Sequence, residues 1–200
     1  MDDLVKQAIA KWPNVPHCYG WLGLDARGHW RMRDERAQAL GLAGEKIVHS
    51  ALLGFIARNY APDARGCWYF QNGPQRVYVQ LEATPYIVRS DPQHGFALHT
   101  GTPLGAPEEA YLCASGELIL RRGDLIAQLD DRDAAGVLAA LELDGKAVDD
   151  AALLAWLDGA DTALCLRAGA VPLPLRRIEH AGVAARFGFD PAPRPDGAAG

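Results

Sequence analysis

Apolar side chains recur with the period of an α-helix in several segments of the chain. In residues 2–12, Val5, Ile9 and Trp12 share one face, and Pro13 ends the pattern. A second helix is predicted from Ser50, which we expect to be its N-cap. Further helices are predicted near residues 132–141 and 150–157. The side chains expected to be buried on the helices from residues 50 and 150 are Leu52, Leu53, Ile56, Leu153, Leu154 and Leu157.

Between the helices, apolar and polar residues alternate with the period of two that is typical of strands. Two hairpins are predicted in the first half, residues 19–24 with 29–33 and residues 67–71 with 76–82. Asn72-Gly73 supplies the positive-φ pair that a tight turn requires in the second of them. On its return strand, Val77, Val79 and Leu81 are expected to face one side.

The order of elements restarts after the Pro- and Gly-rich residues 101–107. Leu24 matches Leu112 at an offset of 88 residues, the helices match at an offset of 101, and Val77 matches Val171 at an offset of 94. We therefore predict an α+β fold of duplicated hairpin-helix-hairpin units, forming two small β-rich lobes. The predicted boundaries are residues 1–95 and 108–190, followed by a disordered tail at 191–200. The alternative is that apolar periodicity alone produces the similarity.

Composition and charge narrow the class of function. The 20 basic and 25 acidic residues give a formal charge of -5, which argues against a nucleic-acid partner. No apolar run approaches the roughly 20 residues of a membrane span, so we expect a cytoplasmic protein without a membrane partner. The four cysteines lie far apart, with no C-x-x-C pair, and we therefore predict neither disulfides nor a metal site.

Known catalytic motifs do not occur in the sequence, so we predict no catalytic residues and no cofactor. Asp130, Asp131 and Asp133 carry oxygen ligands suited to a hard cation, but acidic residues before a helix are more simply explained as N-terminal caps. His17 and Cys18 are adjacent on a predicted strand. Their side chains therefore point to opposite faces and are poorly placed to act as a nucleophilic pair.

The densest chemical signal is the aromatic hairpin at residues 67–78. Three successive aromatic residues cannot all face one core, so one face of this hairpin is a candidate binding surface at the junction of the two lobes. The predicted ligand-binding residues are Trp68, Tyr69 and Tyr78 as aromatic walls, and Arg76 and Asn72 as polar contacts for an anionic group. In the alternative, Tyr78 packs on another layer and Arg76 pairs with Glu82.

Three motifs follow one another in residues 20–90. They are Asp25-x-x-Gly28-x-Trp30, the apolar helix after Ser50, and Pro74-x-Arg76-Val77-x-Val79-x-Leu81-Glu82-x-x-Pro85-Tyr86. This order resembles a small bacterial family, the domain-of-unknown-function family 1285. The resemblance implies a duplicated core with a second half like a pleckstrin-homology fold, a nucleotide-like ligand between the halves, and a part in signalling. The strings of residues 17–21 and 68–74 also resemble a companion set of bacterial proteins of unknown function.

These observations favour a non-enzymatic module that binds a small anionic, nucleotide-like molecule and has a signalling or regulatory role. Two other classes remain open at the level of sequence. One is an enzyme with an unrecognised site. The other is an adaptor whose exposed sheet edge binds a protein partner.

Overall fold

The structure, a computed structural model, describes residues 1–143, 145–168 and 171–195. These residues form an α+β fold with two β-rich lobes, which confirms the predicted class. Unit 1 comprises Met1–Pro85 and the C-terminal segment from Phe187, and unit 2 comprises Tyr86–Arg186. Unit 2 begins before the predicted boundary, because the strand that starts at Tyr86 pairs in parallel with residues 127–129 of the same unit.

Unit 1 contains three helices and a six-stranded sheet. The helices are α1 (Asp3–Lys11), α2 (Glu35–Ala39) and α3 (Ser50–Arg58). The strands are β1 (Cys18–Leu24), β2 (Trp30–Met32), β3 (Glu45–Lys46), β4 (Tyr60–Pro62), β5 (Trp68–Asn72) and β6 (Gln75–Leu81). Their order is β3-β2-β1-β6-β5-β4, and β1 and β6 are the parallel pair.

Among the residues of unit 2 that the structure describes, there are three helices and a nine-stranded sheet. The helices are α4 (Ala134–Leu138), α5 (Asp150–Leu157) and α6 (Val183–Phe187), and 3-10 turns lie at Asp131–Asp133 and His180–Gly182. The strands are β7 (Tyr86–Asp91), β8 (Gly95–Leu98), β9 (Glu109–Leu112), β10 (Leu118–Arg122), β11 (Leu125–Leu129), β12 (Leu141–Leu143), β13 (Lys146–Ala147), β14 (Leu164–Leu166) and β15 (Leu173–Arg177). Their order is β13-β12-β14-β15-β9-β10-β11-β7-β8.

The central strands of the two units share one arrangement. The order β2-β1-β6-β5 in unit 1 corresponds to β10-β9-β15-β14 in unit 2, with β1 parallel to β6 and β9 parallel to β15. The hairpin registers agree with the predicted offset of 88. Leu24 lies opposite Trp30, and Leu112 lies opposite Leu118.

The predicted offset for β6 is wrong by two residues. Leu22 pairs with Val79 in unit 1, and its counterpart Ala110 pairs with Leu175 in unit 2. The offset from β6 to β15 is therefore 96 rather than 94. Because side chains alternate along a strand, a shift of two keeps the same residues facing the core.

The predicted buried face of the helices is correct only in part, since Leu153 and Leu157 are half-buried against the unit 2 core. Of the six leucine and isoleucine side chains expected inside, Ile56 alone is fully buried, and Leu154 is 61% exposed. The fully buried residues of α3 and α5 are Ile56 and Trp156, which correspond at an offset of 100 rather than 101. The caps follow the same offset, because His49 accepts a hydrogen bond from the Leu52 N–H and Asp149 accepts one from the Ala152 N–H. His49, not Ser50, is thus the N-cap of α3.

Two further predictions are corrected, one at a turn and one at the C-terminus. The β5–β6 turn consists of Gly73 and Pro74, since Asn72 pairs with Gln75, and Gly73 has φ +57°. The start of the predicted disordered tail is ordered, because the Leu81 N–H donates to the Pro191 oxygen at 2.8 Å. Residues 196–200 of that tail lie outside the described residues.

Candidate functional site

Alternate residues of β5 point to opposite faces of the unit 1 sheet. Trp68 packs against Tyr60 with ring centroids 4.6 Å apart, and Phe70 packs against Phe55 at 5.3 Å. Tyr69 points to the other face. Trp68 therefore belongs to the core and is not a wall of the predicted site. Asn72 lies four residues after Trp68, so its side chain points to the same face of the sheet as Trp68 and away from Tyr69. It is exposed at the end of the strand.

The opposite face carries what we call the tyrosine-arginine face, defined by Tyr19, Asp63, Arg65, Tyr69, Arg76 and Tyr78. Tyr78 lies at its centre and is 2% exposed. The Tyr19 ring stacks on the Tyr78 ring at 4.5 Å with an interplanar angle of 6°. Tyr69, the cross-strand partner of Tyr78, packs edge-on at 5.8 Å. The structure thus brings together three of the five predicted site residues, Tyr69, Arg76 and Tyr78.

Arg76 is held by an aromatic ring rather than by a carboxylate. Its guanidinium carbon lies 4.5 Å from the centroid of the Tyr69 ring. Within the described ranges of the chain, no carboxylate oxygen lies within 4.0 Å of Arg76. Glu82, the partner in the alternative interpretation, instead accepts a hydrogen bond from the Ala26 N–H at 3.2 Å. Burial acts against the charge of Arg76, but a hydrogen bond to Tyr78 and nearby phenol oxygens leave its pKa raised.

Asp63 and Arg65 form the second polar group of this face. The Tyr78 hydroxyl donates to Asp63 Oδ2 at 2.9 Å, and Arg65 Nη2 donates to the same oxygen at 3.0 Å. Arg65 also lies over the Tyr78 ring, 5.6 Å from its centroid. Burial alone would raise the pKa of Asp63, but hydrogen bonds from Tyr78 and from the backbone at Arg65 and Cys67 hold it below its usual value. Asp63 is therefore a carboxylate whose acceptor oxygens are already engaged.

Sequence reasoning missed Tyr19, Asp63 and Arg65. Asp63 and Arg65 lie in the connection between β4 and β5, where no periodicity marks them. One local signal was present: the Asp63 carboxylate accepts from the backbone N–H groups of Arg65 and Cys67, which is the side-chain turn that aspartate commonly makes before glycine. Tyr19 was not linked to the site because it reaches Tyr78 through the parallel pairing of β1 with β6, which is a long-range contact.

A cavity of about 440 Å³ lies over Gly23 in unit 1. Its polar lining comprises Asp25, Arg31, Arg33, Gln80 and Glu82. Arg31 pairs with Asp25 at 2.7 Å, and Arg33 Nε donates to the Leu42 oxygen at 3.1 Å. The charges in this cavity are balanced, with Arg31 paired to Asp25 and with Arg33 and Glu82 bonded to backbone groups. It therefore presents a weaker anion site than the tyrosine-arginine face.

Of the aspartates before α4, Asp130 caps the 3-10 turn at Asp131–Asp133, as the simpler interpretation predicts, whereas Asp133 makes no side-chain cap hydrogen bond to α4. The Asp130 carboxylate accepts hydrogen bonds from the backbone N–H of Arg132 at 3.0 Å and from its Nε at 2.9 Å. Asp133 pairs with Arg89 at 3.3 Å. The carboxylate oxygens of Asp130 and Asp133 are thus engaged by protein donors.

Comparison with known proteins gives a family and two solved structures. A DUF1285 family protein from Silicibacter pomeroyi DSS-3 is 15% identical, with a TM-score of 0.48, and the match covers 88% of this chain and 95% of that one. A DUF1285 family protein from Shewanella baltica OS155 is 16% identical, with a TM-score of 0.39, over 58% of this chain and 88% of that one. Both carry the family description that the motifs of residues 20–90 resemble.

Two further observations complete the comparison. No curated protein matches the chain. Across the described residues, every helix is too short or too polar to cross a membrane. The family model DUF2944, described as "Protein of unknown function (DUF2946)", matches residues 1–194, and the chain therefore belongs to that family.

Proposed function

We propose that unit 1 binds a small anionic ligand on the tyrosine-arginine face and acts as a non-enzymatic regulatory module. The observation that carries the proposal is the placement of two guanidinium groups, Arg65 and Arg76, against one buried phenol, Tyr78. Asp63 pairs directly with Arg65 at 3.0 Å, and its charge acts on Arg76 without a direct ion pair. The face therefore has one cation more than the carboxylate can balance.

The ligand class follows from the geometry of these groups. A guanidinium presents parallel N–H donors that match the oxygens of a phosphate or carboxylate, and stacking on an aromatic ring fixes its plane in advance. Arg76 is stacked in this way on Tyr69. The ring of Tyr19, which is half-buried, offers apolar surface beside the charge, and such surface suits an aromatic base. A nucleotide-like phosphate combines the two features.

A thermal-shift screen with nucleoside phosphates, inorganic phosphate and citrate tests the proposal. A ligand at 100 times its dissociation constant adds about 2.7 kcal/mol to the free energy of unfolding, which raises the melting temperature measurably. Arg76→Ala is expected to abolish that shift. Arg58→Ala is the matched control, because Arg58 is an exposed arginine of the same unit on α3, whose Phe55 packs against the opposite face of the sheet.

The pattern of the two variants decides the outcome. If Arg58→Ala keeps the full shift, and Arg76→Ala loses it while remaining folded with only a modest fall in the melting temperature in the absence of ligand, the face binds the anion. If Arg76→Ala binds as the wild type does, or if none of these anions shifts the wild-type protein, the proposal fails.

We also infer that the two units descend from one duplicated ancestor. Support comes from the shared strand order, the equal hairpin registers and the helix caps that recur at one offset. The side chains of the tyrosine-arginine face do not recur, since Pro174 stands in unit 2 where Tyr78 stands in unit 1. Anion binding is accordingly assigned to unit 1 alone.

A further inference from the structure

Three side chains with metal-binding atoms converge in unit 2. The Cys113 sulfur, a Glu117 carboxylate oxygen and a His180 ring nitrogen all lie within 4.8 Å of one another. It is the one such group among the residues that the structure describes. Cys113 is fully buried, Glu117 is half-buried and His180 is exposed, so the group opens to solvent on the His180 side.

The fold explains why these residues meet. Cys113 and Glu117 flank the β9–β10 turn. The backbone N–H of Cys113 donates to the backbone oxygen of Glu117 at 2.9 Å. This pairing places them directly opposite each other, with side chains on the same face. The third residue arrives after β15, where the Ile178 N–H donates to the Leu112 oxygen at 3.3 Å and brings His180 beside the turn.

The corresponding turn of unit 1 contains a positively charged side chain, that of Arg31. At the offset of 88, Cys113 and Glu117 correspond to Asp25 and His29, whose side chains lie 3.2 Å apart. The guanidinium of Arg31 neutralises this carboxylate at 2.7 Å. In unit 2 the position of Arg31 is taken by Ile119, which is fully buried and apolar. In unit 2, therefore, no guanidinium at this position neutralises the Glu117 carboxylate, which lies beside the Cys113 thiol and the His180 imidazole.

We propose that Cys113, Glu117 and His180 bind a divalent transition-metal ion of the zinc class. Thiolate sulfur, imidazole nitrogen and carboxylate oxygen are the three ligand types that Zn²⁺ accepts, and this mixture disfavours the all-oxygen cations Mg²⁺ and Ca²⁺. Three protein ligands leave a fourth tetrahedral position for water or another ligand. Ser115 Oγ lies 2.5 Å from Glu117 Oε2 and orients the carboxylate, as outer-shell donors do in metal sites.

Metal binding by the full-length protein tests this site. After treatment with a chelator, the wild type is titrated with Co²⁺, whose thiolate complex gives a charge-transfer absorption band, and the affinity for Zn²⁺ is measured by competition with a chromogenic chelator. Cys113→Ser should lose the band. His180→Ala should weaken Zn²⁺ binding by more than about 100-fold, because even changes to outer-shell partners cost about 10- to 100-fold. The matched controls are Cys165→Ser and His94→Ala, which alter a cysteine and a histidine of the same unit outside the group.

The exposed histidine keeps the test decisive if the Cys113 variant fails to fold. Retention of one bound ion by both control variants and its loss in His180→Ala would support the site. Binding of Zn²⁺ by His180→Ala with wild-type affinity would overturn it, as would a wild type that binds less than one ion and shows no cobalt-thiolate band.

Discussion

Arg76 and Tyr69 form a cation-π pair, with the guanidinium carbon 4.5 Å from the ring centroid. The ring holds the plane of the guanidinium, which also hydrogen-bonds to Tyr78, and an incoming anion would meet the remaining N–H groups. A carboxylate partner in the same position would compete with that anion. The pair thus provides orientation without neutralising the charge.

Replacement of Arg76 by lysine separates charge from geometry. Arg76→Lys keeps the cation but loses the planar fork, so we expect at least half of the ligand-induced shift in melting temperature to disappear. In the absence of ligand, the free energy of unfolding should fall by only about 0.5–1 kcal/mol, the usual contribution of an exposed cation-π pair. Urea denaturation with and without the anion measures both quantities. A lysine variant that binds like the wild type would show that charge alone suffices.

Tyr78 is expected to resist ionisation. Burial raises the pKa of its hydroxyl above the usual 10.0, and its hydrogen bond to Asp63 acts in the same direction. The folded protein keeps this proton after the unfolded chain has lost it. The stabilisation is therefore complete below about pH 10 and is lost as the pH rises through the folded-state pKa.

Phenolate absorbance provides the measurement for Tyr78. The difference between the alkaline titrations of the wild type and Tyr78→Phe isolates this one group from the other tyrosines. Its midpoint should lie above pH 10 as long as the protein remains folded. A midpoint at or below 10 would show that the hydroxyl is more accessible to water than the structure indicates.

Helix α5 offers a direct test of which side chain holds it to the sheet. Trp156 is 3% exposed, and Arg177 lies over its ring at 4.3 Å. Trp156→Ala should lower the free energy of unfolding by about 3–5 kcal/mol, because it removes a large buried side chain. Leu154→Ala on the same helix should change it by less than about 0.5 kcal/mol, since Leu154 is 61% exposed. Equal losses in urea denaturation would contradict this assignment.

The different periodicities of strands and helices explain which buried residues the sequence predicts correctly. An error of two residues in the offset of β6 left the core residues of β15 on the correct face, because strand side chains alternate. An error of one residue in the offset of α3 rotated the expected face of α5 by about 100°, because a helix has 3.6 residues per turn. At the offset of 101 the expected counterpart of Ile56 is therefore Leu157 in place of Trp156.

The candidate sites were predictable only where their residues share a strand pair. Tyr69, Arg76 and Tyr78 meet through the local β5–β6 hairpin. Alternation placed Arg76 and Tyr78 on one face, but it left open which of Trp68 and Tyr69 joins them. Arg65 lies in a loop without periodicity. His180 reaches Cys113 only through the parallel pairing of β15 with β9, which joins distant parts of the chain and leaves no local pattern.

The buried carboxylate of Asp130 should make the protein sensitive to acid. Burial of this group acts to raise its pKa, but hydrogen bonds and charge from Arg132 outweigh burial and lower the pKa from 3.8 to about 2. The folded state therefore releases the proton more readily than the unfolded chain does. The resulting stabilisation is present above about pH 4 and is lost as the pH falls through about 2.

A shift of this size corresponds to about 2 kcal/mol, and Asp130→Asn should lower the free energy of unfolding at pH 7 by at least that amount. The variant should also show a weaker dependence of stability on pH between about 4 and 2, because the group that titrates there is gone. Asp161→Asn, which changes an exposed aspartate of the same unit, is the control and should follow the wild-type curve. Urea denaturation at a series of pH values makes the comparison. Parallel acid profiles for wild type and Asp130→Asn would mean that Arg132 does not stabilise the charged form of Asp130, and that the acid sensitivity arises from another carboxylate.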